Sequence, residues 1–266
     1  MEQTNKTTIK QSNKKTQNKV QKNNQNNNQN NTFNKTVKEL KQVLTKDYIC
    51  VNLKENPFSK NINSLNKKQI EYVLKQYSIF PKHIVSFLET VRNKSEDNKF
   101  KKIVVELTRN IGEELGTQTH GITHYDLLIQ GVKEEFNLNI SKIDSEESTF
   151  QFLANMRKTF SNKNIFHTLG AIYATELSAK PELLIVYKLI NKYSRIIKSK
   201  KIDDGMLKSF FDMHISVWEP GHEQELYKAC KNYVKTKEDL EEFEKGFKEV
   251  LSTMDVWWTG LYNELK

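Results

Sequence analysis

An all-helical fold is predicted by three features of the sequence. The 266 residues include only nine Gly and four Pro, so few positions interrupt a helix. From about residue 36 onward, apolar residues recur at the three- and four-residue spacing of a helix face, and almost no stretch alternates in the manner of a strand. The 36% hydrophobic content is enough for one core. We therefore expect a single helical bundle over residues 36–266.

The helical period is clearest in nine stretches. In chain order these are LNKKQIEYVLKQY (65–77), HIVSFLETV (83–91), FKKIVVELTRNIGEEL (100–115), HYDLLIQGVKEEF (124–136), ESTFQFLANMRKTF (147–160), IFHTLGAIYATEL (165–177), ELLIVYKLINKYSRII (182–197), MLKSFFDMHISVW (206–218) and a last helix near 236–264. Breaks between helices are predicted at Pro81, Gly116–Gly121, Pro181, Asp203–Gly205 and Pro220. No repeat of fixed period occurs, which argues against a solenoid.

Residues 1–35 form a tail of different composition. They hold seven Lys and one Glu, which accounts for +6 of the chain's net charge of +9, and they contain the run NNQNNNQNN. Such a segment has too few apolar residues to offset the entropy of ordering, so disorder is predicted. Because the basic residues are concentrated in this tail, a solvated leader is favoured over a nucleic-acid-binding role.

The cellular location is predicted from the lack of secretory-signal and membrane-spanning patterns in the sequence. The tail has no apolar stretch like that of a secretory signal, and no run of 18 apolar residues occurs in the chain. Cys50 and Cys230 are far apart in sequence and are expected to be free thiols in a reducing compartment. The sequence therefore predicts a cytoplasmic protein that does not span a membrane.

Metal chemistry is indicated by three polar residues in the stretch HISVWEPGHEQEL. His214, Glu219 and His222 combine two imidazoles and a carboxylate, which are ligands for iron, manganese or zinc. Their spacing is i, i+5, i+8, one residue longer than the i, i+4, i+7 of a straight helix face. Because Pro220 cannot donate a hydrogen bond to the carbonyl of Ser216, we expect a kink or π-bulge that absorbs the extra residue.

Further candidate ligands lie on other helices. One helix ends at Glu113 and Glu114, and the next begins near His124. Glu176 lies in a stretch that is apolar on nearly all sides, where an unpaired charge would be costly. Each residue alone is also explained as a hydrogen-bonded core residue or an exposed helix end. Their combination favours a shared metal site, although spacing does not establish that the helices converge.

The order of these residues resembles that of the heme-oxygenase-like diiron oxidases of the TenA/PqqC-like superfamily, relatives of the chlamydial protein that associates with death domains. The family places a Glu at a helix end, a His at the next helix start, a Glu within a later helix, and finally a His, an acid and a His. The resemblance covers residues from about 50 to 264. It extends to NPFSKNINSLNKKQIEYVLKQYSIFPKHIVSFL (56–88), EELG…THYDLL and LGAIYATELSAKP.

The resemblance implies a ligand set for two iron ions, with manganese or a mixed iron–manganese pair as alternatives and dioxygen as co-substrate. Carried over position by position, the implied ligands are Glu114, His124, Glu176, His214, Glu219 and His222. Glu113 with His120 is an alternative to Glu114 with His124, since some relatives have the shorter interval. The late motif departs from the family pattern, which has Asp in place of Glu219 and one residue fewer.

The implied activity is that of a non-heme diiron oxidase or oxygenase acting on a small organic substrate, as a monomer or a homodimer. No individual catalytic residue is assigned. Two alternatives stay open: a metal-free helical binding protein with the same fold, and a relative that forms p-aminobenzoate by modifying itself. A true heme oxygenase would need an axial His in its first core helix, and a thiaminase-like enzyme would need a cysteine with a partner base.

Overall fold

The computed structural model confirms the all-α fold over the residues that it describes. Those residues are Gln29, 31–141, 143–198 and 204–265, with the side chains of 216–220 outside the description. Helix α1 spans 31–47. The following helices are α2 (Pro57–Lys60), α3 (Lys67–Tyr77), α4 (Pro81–Asp97), α5 (Lys101–Glu114), α6 (His124–Phe136), α7 (Glu147–Phe160), α8 (Ile165–Ile197), α9 (Gly205–Asp212), a π-helix (Met213–Trp218), α10 (Glu219–Cys230) and α11 (Lys237–Asn263).

The predicted N-terminal tail lies mainly outside the described residues. The last residues of the range 1–35 belong to α1, where the Phe33 side chain is buried and stacks on Tyr227. Residues 31–35 are therefore helical, although the predicted tail extends to residue 35. One apolar residue in the otherwise polar run is enough to attach this turn of helix to the core.

Several helix ends are specified by local hydrogen bonds. The Asn66 side chain accepts from the backbone N–H of Gln69, and the Gln69 side chain accepts from that of Asn66, which forms a capping box at the start of α3. Thr236 and Asp239 form the same arrangement at the start of α11. Pro81 is the first residue of α4, where its missing N–H is not needed.

Helices α8 and α11 form the centre of the bundle. They run parallel, because Gly170 contacts Phe243 near one end and Glu182 contacts Trp258 near the other. A Cβ on Gly170 would lie 1.8 Å from the carbonyl oxygen of Phe243, and one on Gly246 would lie 1.9 Å from that of His167. The two glycines therefore permit backbone contact that no other residue would allow.

The predicted helix break at Pro181 is wrong. Residues 165–197 form one continuous helix of 33 residues with Pro181 inside it. Proline removes one backbone hydrogen bond, but the helix buries side chains both before and after Pro181. Packing on both sides of Pro181 thus keeps the two halves in line, and Glu182 becomes an internal residue instead of a helix start.

The expected irregularity before Pro220 is confirmed as a π-helix over Met213–Trp218. In this conformation the backbone hydrogen bonds join residues five apart, so the extra residue between His214 and position 219 is absorbed. Pro220 then falls in the first turn of α10. Of the predicted turn at residues 203–205, Asp203 lies outside the described residues, and Gly205 has a φ of 84° at the start of α9.

Two remaining expectations concern the cysteines and the membrane. Cys50 and Cys230 are free and buried, as predicted. Among the described residues, none of the helices is long and apolar enough to cross a membrane.

Candidate metal centre

A short loop brings the end of α5 next to the start of α6. It turns at Gly116, whose φ is 93° and whose Cβ, if present, would lie 2.6 Å from the carbonyl oxygen of Ile122. The Thr123 hydroxyl accepts a hydrogen bond from the backbone N–H of Asp126, which makes His124 the first residue of α6. The loop therefore fixes His124 directly beside Glu114.

Glu114, His124 and His214 form a cluster that we call the open triad. His124 Nδ1 lies 3.1 Å from Glu114 Oε1 and 3.1 Å from His214 Nε2. One ligand atom from each residue lies within 4.8 Å of the others. When two ligand atoms each lie about 2.1 Å from one metal ion, in tetrahedral or octahedral geometry, they are about 3 Å from each other. The donor set and its spacing therefore fit a metal ion, and no other such group occurs among the described side chains.

The ring of His214 is held in the form that can bind a metal. Its Nδ1 lies 2.6 Å from the carbonyl oxygen of Phe210, which can only accept, so Nδ1 carries the proton and donates it. Nε2 is then left with its lone pair facing the triad. Burial lowers the pKa of His214 to about 4, so the ring is neutral at pH 7.

Glu114 completes the open triad as an anion. Burial alone would raise its pKa, but the hydrogen bond with His124 holds the pKa below its usual value. A charged carboxylate and neutral imidazoles are the protonation states in which these residues bind metals.

Glu113, Glu176 and His222 form a second cluster, which we call the closed triad. His222 Nε2 lies 2.5 Å from Glu113 Oε2, and His222 Nδ1 lies 3.5 Å from Glu176 Oε2. The ring is therefore inserted between two carboxylates, one on each side. Since the two nitrogens of an imidazole point in different directions, one metal cannot join both pairs, and metal binding here requires the ring to leave one carboxylate.

Neighbouring side chains hold both carboxylates of the closed triad. Glu113 Oε1 accepts from Arg109 Nη1 at 2.5 Å and from Gln118 Nε2 at 2.9 Å. Glu176 Oε1 accepts from Asn110 Nδ2 at 2.8 Å. These donors orient the carboxylates in the same way that outer hydrogen bonds orient metal ligands.

The structure brings together five of the six residues that the sequence singled out. Glu114, His124 and His214 meet in the open triad, and Glu176 and His222 meet in the closed triad. The side chain of Glu219 lies outside the described part of the chain.

The alternative pair of Glu113 with His120 does not form. His120 is exposed at a φ of 55°, whereas Glu113 faces His222. Glu113 thus adds a carboxylate to the site instead of replacing Glu114. Arg109, four residues before Glu113 on α5, was a signal for this in the sequence, since that spacing places the two side chains on one helix face.

A small cavity, which we call the side cavity, lies against the open triad. Its lining includes the three triad residues together with Tyr77, Phe80, Pro81, Ile84, Thr175, Ala179, Glu182, Leu183 and Phe210. Apart from the triad, the lining comes from α3, α8, α9 and the start of α4, and it is largely apolar. A small molecule in this space would therefore lie next to the triad in surroundings that exclude most water.

Several solved structures are similar to this chain in fold, and one of them is also similar in sequence. A crystal structure of a CADD-like protein of unknown function from Nostoc punctiforme superposes with a TM-score of 0.82 at 33% identity, covering 88% of this chain and 98% of that one. A domain with a heme oxygenase-like fold from Shewanella denitrificans gives a TM-score of 0.60 at 14% identity, covering 87% and 90%. A TenA homolog from Pseudomonas syringae gives 0.61 at 12%, covering 88% and 92%. These similarities establish the heme-oxygenase-like fold.

One relative carries the name of an enzyme. The 4-chloro-allylglycine synthase of Streptantibioticus cattleyicolor is 25% identical over 211 residues, which cover 78% of this chain and 76% of the relative. Residues 34–264 match the model of DUF3865, described as a domain of unknown function with a solved structure. The chain therefore belongs to the DUF3865 family, and its fold is heme-oxygenase-like.

Proposed function

We propose that the protein is a non-heme diiron oxidase or oxygenase that activates dioxygen to oxidise a small organic substrate. The observation that carries the proposal is the open triad, in which two imidazole nitrogens and a carboxylate oxygen converge on the wall of the side cavity. A site that is buried, has mixed N and O donors and opens to a cavity is suited to chemistry at a metal.

The donor types favour iron over purely structural zinc. The two triads together offer three imidazoles and three carboxylates, with no cysteine among them. Such a set leaves coordination positions open when it is divided over two ions. Bound iron would supply the redox chemistry that reduces dioxygen; manganese, or one ion of each metal, is the alternative supported by the same donors.

The residues of the chain would have separate tasks in this activity. Glu114, His124 and His214 would hold one ion, and Glu113, Glu176 and His222 would hold the second after His222 leaves one carboxylate. The hydrogen bond from His214 to the Phe210 carbonyl keeps Nε2 directed at the first ion. Phe80, Ile84 and Phe210 would keep water from the substrate.

The named relative supports an enzymatic role. Its name describes the synthesis of 4-chloro-allylglycine, a small amino acid. We propose that this chain also acts on a small molecule, whose size is limited by the side cavity. We also propose a cytoplasmic location, which the two free buried thiols support. Light scattering would show whether the chain is a monomer or a homodimer.

The proposal is tested by iron binding and dioxygen uptake. Metal-free full-length chain is loaded with ferrous iron under argon and then mixed with dioxygen while iron content, absorbance and dioxygen uptake are recorded. We expect about two iron ions per chain and dioxygen uptake in proportion to the iron. His214→Ala and His222→Ala should each lower both quantities.

His120→Asn is the matched control, because His120 is exposed and asparagine tolerates its positive φ. This variant should retain the iron and dioxygen uptake of the unmodified chain. A chain that takes up no iron under these conditions would overturn the proposal and favour a metal-free binding protein. Unchanged iron content in the two histidine variants would show that the metal binds elsewhere.

A further inference from the structure

The side cavity contains one carboxyl group that belongs to neither triad. Glu182 lines the cavity together with Glu114, His124 and His214, and only 2% of its surface is exposed. It lies on α8, whereas the carboxylate of the open triad comes from α5. An ionisable group in such apolar surroundings is costly unless it has a partner.

The protein itself provides Glu182 with little compensation. Glu182 Oε1 accepts a hydrogen bond of 2.9 Å from Trp258 Nε1, and this is the only hydrogen bond to the carboxyl from the described residues. Burial raises the pKa of Glu182 to about 8, although the Trp258 bond opposes the shift. A ligand that carries a positive charge would therefore gain from this carboxyl and relieve its burial cost.

The rest of the lining is also suited to a cation with an apolar chain. The described lining residues include no Lys or Arg that could pair with an anionic substrate. The aromatic rings of Tyr77, Phe80 and Phe210 and the aliphatic side chains of Ile84 and Leu183 line the cavity. Aromatic rings can attract a cation as well as an alkyl chain. An anion would be repelled by the Glu114 carboxylate, whereas an ammonium would be attracted by it and would stabilise the charged form of Glu182.

Helix geometry places Glu182 on the cavity side of α8. Thr175, Ala179 and Glu182 line the cavity at i, i+4 and i+7, so they share one face of α8. The open triad lines the same cavity, so a ligand held by Glu182 would extend its apolar chain toward that triad.

We infer that the side cavity binds an aliphatic primary amine, with the ammonium group on Glu182 and the alkyl chain extending along the apolar wall to the open triad. This inference rests on the proposed function, since it defines the substrate class of that site. Glu182 is a specificity-determining residue in this arrangement.

The inference is tested with three probes of equal length: n-hexylamine, n-hexanol and hexanoate. Their affinities for the iron-loaded full-length chain are measured by titration calorimetry under argon at pH 7. We expect the amine to bind at least tenfold more tightly than the alcohol, and the carboxylate to bind most weakly. Equal affinities for the three probes would overturn the inference without any variant.

Glu182→Gln sharpens the same experiment. The amide keeps the size of the side chain and an oxygen that can accept from Trp258, but it cannot ionise to pair with an ammonium. We expect amine affinity to fall at least tenfold and hexanol affinity to change less than twofold. Glu96→Gln, which alters an exposed carboxylate at the far end of α4, is the control and should change neither affinity. An unchanged amine affinity in Glu182→Gln would contradict the inference.

Iron content measured on the same samples separates the two proposals. Bound iron and dioxygen uptake without preference for the amine would refute the amine site and leave the diiron proposal intact. Preference for the amine in a chain that binds no iron would refute the diiron proposal and retain an amine-binding cavity.

Discussion

Helix α8 has two faces of opposite character. The face toward α11 is closely packed: Gly170 touches the backbone of Phe243, and Tyr173 lies against Phe243 and Phe247. The face toward α5 and α10 carries Glu176, which pairs with Asn110 and His222. The first face supplies the contacts that hold the bundle together, whereas the second buries polar groups that cost stability unless they are paired. Substitutions on the two faces should therefore affect different properties.

The largest effect is expected at the α8–α11 contact. Gly170→Val would place side-chain atoms where the Phe243 carbonyl lies and would force the two helices apart. Because a folded domain is stable by only about 5–15 kcal/mol, we expect loss of the cooperative fold, visible by circular dichroism and urea unfolding. Gly112→Ala is the control, since a Cβ there would make an ordinary 3.4 Å contact with Thr117. A native-like Gly170→Val protein would show that this contact is not essential.

A smaller effect is expected at Glu182, where the two faces meet. The pKa of Glu182 rises from its ordinary 4.5 to about 8 in the folded chain. Between these pH values the folded state retains the proton that the unfolded state has lost, so stability falls as pH rises, by about 5 kcal/mol at most from this group. In Glu182→Gln this fall should be absent. Urea unfolding from pH 5 to 9 checks this, and parallel profiles for the two proteins would contradict it.

The third prediction concerns the polar face. Glu176→Gln removes a metal ligand but keeps an oxygen that can accept from Asn110. We expect iron affinity at the closed triad to fall at least about 100-fold, because losing a ligand costs more than losing one of its outer partners. Stability of the metal-free chain should change by less than about 1 kcal/mol, as for substitutions that leave no buried group unpaired. Iron titration and urea unfolding of the same sample separate the two effects.

The smallest effect is expected at Arg109, which orients Glu113 in the closed triad. Arg109→Ala should weaken iron binding at the closed triad by about tenfold, the lower end of what an outer partner contributes. Binding at the open triad should remain unchanged, since Arg109 has no hydrogen bond to its members among the described contacts. Equal weakening at both triads would show that they do not bind independently. Arg109→Lys, which keeps the charge, should restore part of the affinity.

The sequence predicted most helices from α3 onward, because their burial follows a period that the chain shows directly, but it did not single out α1 or α2 and it divided α8 in two. It also predicted the π-bulge, since Pro220 leaves a carbonyl without its usual donor. Convergence of His124 and His214 depends on a turn at Gly116 and on packing between distant helices, and no local pattern encodes either. The family resemblance supplied that step.

The error at Pro181 had a consequence for the site. A helix starting there makes Glu182 a first-turn acid, which is common and usually exposed. In the continuous α8 the same residue is buried against Trp258 in the side cavity. The prediction relied on the helix-breaking effect of proline and did not account for packing between helices. It therefore missed Glu182, the one carboxyl that lines the cavity outside the triad.

Stepwise iron titration of the metal-free chain under argon tests the central claim most directly. The open triad already has its donors in place, whereas the closed triad must release His222 from one carboxylate. We predict two binding steps, with the tighter one lost in His214→Ala and the weaker one lost in Glu176→Gln. Binding of no iron, or two steps that persist in both variants, would contradict a diiron centre built from these triads.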